Sequence, residues 1–121
     1  MDDQSIENEI QAKGLTAPRV TLADIEAQIK AEFYFTASDG VFGASGHRPA
    51  SVRAGTALGL LTFCVLVLRN GFTVTGESAC VSPENFDPDL GRKIARQHAV
   101  DKVWMLEGYL LRERLSRTGG I

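Results

Sequence analysis

The run Leu60 to Leu68, LLTFCVLVL, followed at once by Arg69-Asn70-Gly71-Phe72, constrains this chain more than any other stretch. Its β-branched and aromatic content, broken only by Thr62, predicts a strand buried on both faces. Asn70-Gly71 is the strongest short hairpin signal, because both central positions of a type I′ turn need positive φ, which these residues tolerate. A two-residue loop then sets the register: Arg69 faces Phe72, Leu68 faces Thr73, Val67 faces Val74, Val65 faces Gly76 and Cys64 faces Glu77. Cys80 falls on the other face from Cys64, so no internal disulfide is expected.

Helical signals flank the hairpin. Residues 3 to 13 read as a short helix ended by Lys13-Gly14, with GLTAPRV as a connector. Thr21 caps a second helix, with Asp24 reaching back and Val20 and Ile25 placed as a hydrophobic staple. Leu22, Ile25, Ile29 and Phe33 continue it at helical spacing, and Phe33-Tyr34-Phe35 begins a strand. Residues 37 to 59 have no clear period and hold five glycines and three serines. That long Gly/Ser/Ala-rich loop, with His47, Arg48 and Arg53, is either a mobile surface segment or one ordered by a ligand or partner. Ser82-Pro83 predicts a single capped turn, and Asp87-Pro88-Asp89 opens a long helix. Its stripe is Leu90, Ile94, Val103, Leu106, Leu110 and Leu111. From Asp89 to Arg117 it would reach about 40 Å and project from a small domain, with Trp104 and Tyr109 as surfaces for packing or association. The expected fold is therefore α+β, a single domain over 1–121: an antiparallel β-hairpin or small sheet packed against an N-terminal helix and a long C-terminal helix.

Composition narrows the chemistry. At 121 residues and a net charge of -2, the chain offers one core and no overall basic balance, which disfavours polymeric nucleic acid as a partner. MDDQSIENEI lacks the features of a secretory signal, and LLTFCVLVL is about half a membrane span, so no membrane association and a cytoplasmic location are expected. Cys64 and Cys80 lack CxxC spacing, and His47 and His98 form no HxxxH or HExxH pair. No phosphate-binding glycine loop is present. The expectation is a protein without catalytic residues, metal or cofactor, and not an enzyme.

The corner that follows the hairpin is richer. Asp87 and Asp89 would repel an anion from the helix N-terminus, so phosphate must find side chains instead. Arg92 and Arg96 share a helix face beside Lys93, and Arg69 is a further donor. Phe72, Phe86 and Trp104 offer stacking surfaces, and the Asn85 amide suits a purine edge. Equally open on the residues alone, the arginines are solvated, the aromatics are core and Asn85 satisfies a turn.

NGFTVTGESACV, the PENFD corner, the GRKIAR turn and W-x-LEGYLL, within residues 61–115, together with KGLTAPRVTLADIEAQI, resemble a family of small bacteriophage and prophage proteins. That family is in turn similar to the Thoeris anti-defence proteins of the first-described type, phage sponges that sequester cyclic ADP-ribose isomers and, in some cases, cyclic oligonucleotides of CBASS immunity. The resemblance implies a non-enzymatic cyclic nucleotide binder in the host cell cytoplasm, a homo-oligomer, a hexamer built from dimers, with ligand sites between subunits. It implies a base-recognising role for Asn85 and a phosphate-binding one for Lys102. Thr75 stands where a stacking aromatic is expected, which leaves stacking to Phe72 or Phe86. The ligand-binding set is thus Arg69, Phe72, Thr75, Asn85, Phe86, Arg92 and Lys102. Two alternatives stay open: a phage protein that modulates a host protein through the long helix and Trp104, and an enzyme that cleaves such nucleotides.

Overall fold

The computed structural model describes residues 2–46 and 56–119. In chain order the elements are α1 (Asp3–Ala12), α2 (Leu22–Gln28), β1 (Ile29–Thr36), α3 (Ala37–Ser45), β2 (Leu61–Leu68), β3 (Thr73–Ala79) and α4 (Pro88–Arg117), with 3-10 turns at Ala57–Leu60 and Pro83–Asn85. The strands form one antiparallel sheet in the order β1-β2-β3. The fold is α+β, a small sheet with an N-terminal helix and a long C-terminal helix, as expected.

Caps explain most boundaries. Asp2 accepts from the Ser5 amide at the start of α1. The Thr21–Asp24 box is complete in both directions, and Asp87 accepts from the Asp89 and Leu90 amides ahead of Pro88. The Pro83–Asn85 turn forms as expected, but without a side-chain bond from Ser82.

Four expectations are corrected. The second helix stops at Gln28 rather than running to Phe33; Ile29 is already extended, at φ -84° and ψ 111°, and Phe33 is exposed on β1. The segment after Thr36 is not loop throughout: Ala37–Ser45 is helical, opened by a second capping box of Thr36 and Asp39 and closed by Gly46 at φ +80°. His47, Arg48 and Arg53 lie outside the described residues.

The hairpin register is the third. Val67 pairs with Thr73, Leu66 with Val74, Val65 with Thr75 and Cys64 with Gly76. The Gly71 amide donates to the Leu68 carbonyl at 2.9 Å, the Leu68 amide to Phe72 at 2.8 Å, and Gly71 sits at φ +90°. The loop is therefore three residues, Arg69-Asn70-Gly71, with glycine supplying the left-handed step. A one-residue change of pairing exchanges which β3 residues share a face with Cys64. Val74 and Gly76 join the core, whereas Thr73, Thr75 and Glu77 face away with Phe63, Val65 and Val67. By the same parity Cys80, whose amide donates to the Leu60 carbonyl, falls on the side of Cys64 but four positions along the strand, and both cysteines are free.

The fourth concerns burial. On β2, Thr62, Cys64, Leu66 and Leu68 are buried, while Leu61, Phe63, Val65 and Val67 are only half covered. The covering element is α4, which reaches the sheet with Gly91, Ala95, Ala99, Val100 and Val103; of the expected stripe only Val103 is among these buried residues. Leu90 and Ile94 are exposed, as are Leu106 and Leu110. Small residues win because the backbones meet: a Cβ on Gly76 would overlap the Ala95 carbonyl oxygen and the Ala99 amide nitrogen. His98 adds a pin, its Nδ1–H donating to the Glu77 carbonyl at 2.7 Å. Ile25, Cys64, Leu66, Leu68 and Val74 complete this core, with Val20, Ile29, Tyr34 and Trp104 packed at its edge.

Candidate functional site

β3 is an edge strand, and α4 passes along it, so a groove opens between them. Phe72, Thr73, Val74 and Thr75 form one wall; Lys102, Met105 and Leu106 form the other; the space is about 350 Å³. Three expected ligand residues thus meet here: Phe72, 57% exposed at the end of the hairpin, Thr75 on the strand and Lys102 on the helix. An exposed phenyl face, a strand edge and an ammonium group are the elements needed to stack a base and hold an anion. Met105 and Leu106 were missed, although their spacing of three and four from Lys102 puts them on the same side of α4.

Asn85, Phe86 and Arg92 gather elsewhere, at the corner before α4. Asn85 and Phe86 line a cavity of about 260 Å³ with Cys80, Val81, Leu90 and Ile94. Phe86 and Arg92 line a smaller one, about 150 Å³, with Tyr34, Phe35 and Thr62. Neither shares a lining residue with the groove of Phe72, Thr75 and Lys102. Arg92 pairs with Asp89 one turn back. Arg69 belongs to neither cluster: its Nε donates to the Ala27 carbonyl and its amide to Gln28 at 3.0 Å, so it ties the hairpin loop to the last carbonyls of α2.

Arg96, grouped with Arg92 on sequence, turns under the helix to Glu26 at 3.0 Å and Glu32 at 3.3 Å. Glu32 also accepts from the Tyr34 hydroxyl at 2.7 Å, which together with Arg96 holds its carboxyl below the usual range. Burial and that hydrogen bond to Glu32 push the Tyr34 hydroxyl far above its ordinary value. This network fastens α4 to α2 and β1. The alternation of Glu32 and Tyr34 on one strand face was its sequence signal.

Trp104 is not a free surface. It packs at the core's edge and its Nε1–H donates to Asp3 at 3.1 Å, so α1 lies over it. Beside it is a cavity of about 360 Å³ lined mainly by Ile6, Ile10, Val20 and Trp104. Arg19 closes one end by a two-pronged pair with Glu7, at 3.0 and 2.7 Å. Those bonds, with further donation from Gln11, bring the Glu7 carboxyl down to about 2.

Among the described residues no helix is long and apolar enough to cross a membrane. Neither the curated proteins nor the solved structures give a match to this chain. A family profile does match, over residues 20–115, which takes in the groove, the corner and the Arg96 network but leaves out α1. The chain belongs to the phage protein (N4 Gp49/phage Sf6 gene 66) family.

Proposed function

We propose that this phage family member binds and sequesters a cyclic nucleotide immune signal, a cyclic ADP-ribose isomer or a cyclic oligonucleotide, without cleaving it, and does so as a homo-oligomer in the host cell cytoplasm. The observation that carries the reading is the meeting of Phe72, Thr75 and Lys102 in one groove. A purine stacks on the open face of Phe72, a phosphate takes the Lys102 ammonium group, and the β3 backbone at Thr75 lies between them. The free edge of β3 adds backbone donors and acceptors. One wall of a cyclic ligand is then covered and the other is not. The separate Asn85, Phe86 and Arg92 cluster supports completion by a neighbouring copy, since it offers an amide and a guanidinium that this chain's own groove lacks, and a second aromatic ring.

Titration calorimetry against cyclic ADP-ribose isomers and cyclic di- and trinucleotides, followed by heat denaturation and chromatography, tests this. Tight binding with intact ligand recovered is expected. Phe72→Ala is expected to weaken it about 10-fold or more, the scale of one lost base–aromatic stack. A cleaved product would replace the sponge with an enzyme. Undiminished binding by both Phe72→Ala and Lys102→Glu would move the site out of the groove.

A second reading, a phage protein that modulates a host protein by direct contact, is favoured by one observation: Met105 and Tyr109 are 74% and 73% exposed on the part of α4 beyond the core. Absence of binding to every nucleotide would make it the leading one.

A further inference from the structure

The part of α4 beyond Val103 carries an apolar face that none of the described residues buries. After Val103 no residue of the helix is buried. Yet Leu106, Glu107, Leu110 and Arg114 line one cavity of about 340 Å³ with Phe72 and Leu68 at the hairpin end. They therefore share a face, the continuation of the stripe that meets the sheet earlier in the helix. Within it, Glu107 and Arg114 stand seven residues apart, about 10 Å along the axis, too far to pair with each other. Among the described residues neither has an ion-pair partner, and the apolar Leu110 lies between them.

We infer that this face pairs with the same face of a second copy, the two α4 helices running antiparallel about a two-fold axis near Leu110. Such an axis makes the surface its own complement. It sets Glu107 of each chain opposite Arg114 of the other, twice, and closes the two Leu110 side chains between these pairs, with Leu106 just outside them. A parallel arrangement in register would set like charges together at both positions, so the charge pattern selects the antiparallel one. The inference rests on the assembly part of the function proposed above, that copies associate, and names the surface that does it.

Sedimentation velocity of the full chain across micromolar concentrations reads the association directly. The expected species is a dimer, or a multiple of it, of the 13.1 kDa chain. Leu110→Asp is expected to weaken association at least tenfold with an unchanged far-ultraviolet circular dichroism spectrum. Glu107→Arg and Arg114→Glu each weaken it, and the double exchange Glu107→Arg/Arg114→Glu restores it. A monomeric wild type, an oligomer indifferent to Leu110→Asp, or a double exchange no better than the singles would each overturn the pairing. Calorimetry of the wild type with the cyclic nucleotides stands apart from these outcomes, so a sponge with a different interface and a dimer with no nucleotide affinity are told apart.

Discussion

The two halves of α4 are one helix with opposite logic. The first half carries residues that look weak for a core, Gly91, Ala95 and Ala99, and it packs backbone to backbone on β3 because Gly76 has no side chain to hold them apart. The second carries Met105, Leu106, Tyr109 and Leu110, and leaves them open. Burial here follows the distance between backbones, not side-chain size. A small residue marks where the chain meets itself, and a large apolar one marks where it has space for something else.

The strongest way to break that contrast is at its closest contact. Gly76→Val drives a side chain into the Ala95 and Ala99 backbone and is expected to cost about 3 kcal/mol or more, seen as a lost or strongly lowered denaturation midpoint. A midpoint within a degree or two of wild type would mean that α4 does not sit on β3 as described. Arg96→Ala removes the ion pairs to Glu26 and Glu32 from the same half; because these carboxylates are partly solvated, about 1 kcal/mol is expected by urea denaturation.

The junction between the halves answers to acid. Glu7 is held at about 2, below its usual 4.5, chiefly by the hydrogen bonds from Arg19. A depressed carboxylate contributes stability at pH above 4.5 and loses it as pH falls toward 2. Loosening of α1 over that window is expected as a change in fluorescence from Trp104, the sole tryptophan, with an onset that Glu7→Gln abolishes. At the open end, Met105→Ser is expected to change the unfolding free energy by no more than about 0.5 kcal/mol. A large loss there would show that the second half is covered within the chain after all.

Much of this was legible in the residues, and the failures have physical reasons. Thr21 with Asp24 and Asp87 with Pro88 named two helix starts, because a cap is a local device with local partners. Thr36-x-x-Asp39 was the same device and opened α3, but Gly40, Gly43 and Ser45 hid the helix behind loop-like composition. The hairpin was certain and its register was not, since Asn70-Gly71 serves a two-residue loop or the end of a three-residue one, and only the neighbouring chain decides. Of the candidate ligand residues, spacing could place Phe72, Thr75 and Lys102 on a strand and a helix, but not foresee that the strand edge and helix side would form one groove. Nor could it foresee that Arg96 would turn to Glu26 and Glu32, partners more than sixty residues distant in the chain.

The two thiols give the molecule internal clocks of different rate. Cys64 is fully enclosed between sheet and helix, and burial raises its thiol above the ordinary range. Cys80, past the end of β3, is partly exposed, its Sγ 3.2 Å from the Ser82 carbonyl. An alkylating reagent therefore reaches Cys80 in the native fold, whereas Cys64 must wait for α4 to lift from the sheet. The lag between the first and second label, read by mass, times the opening of the Gly76 contact without any substitution in the chain.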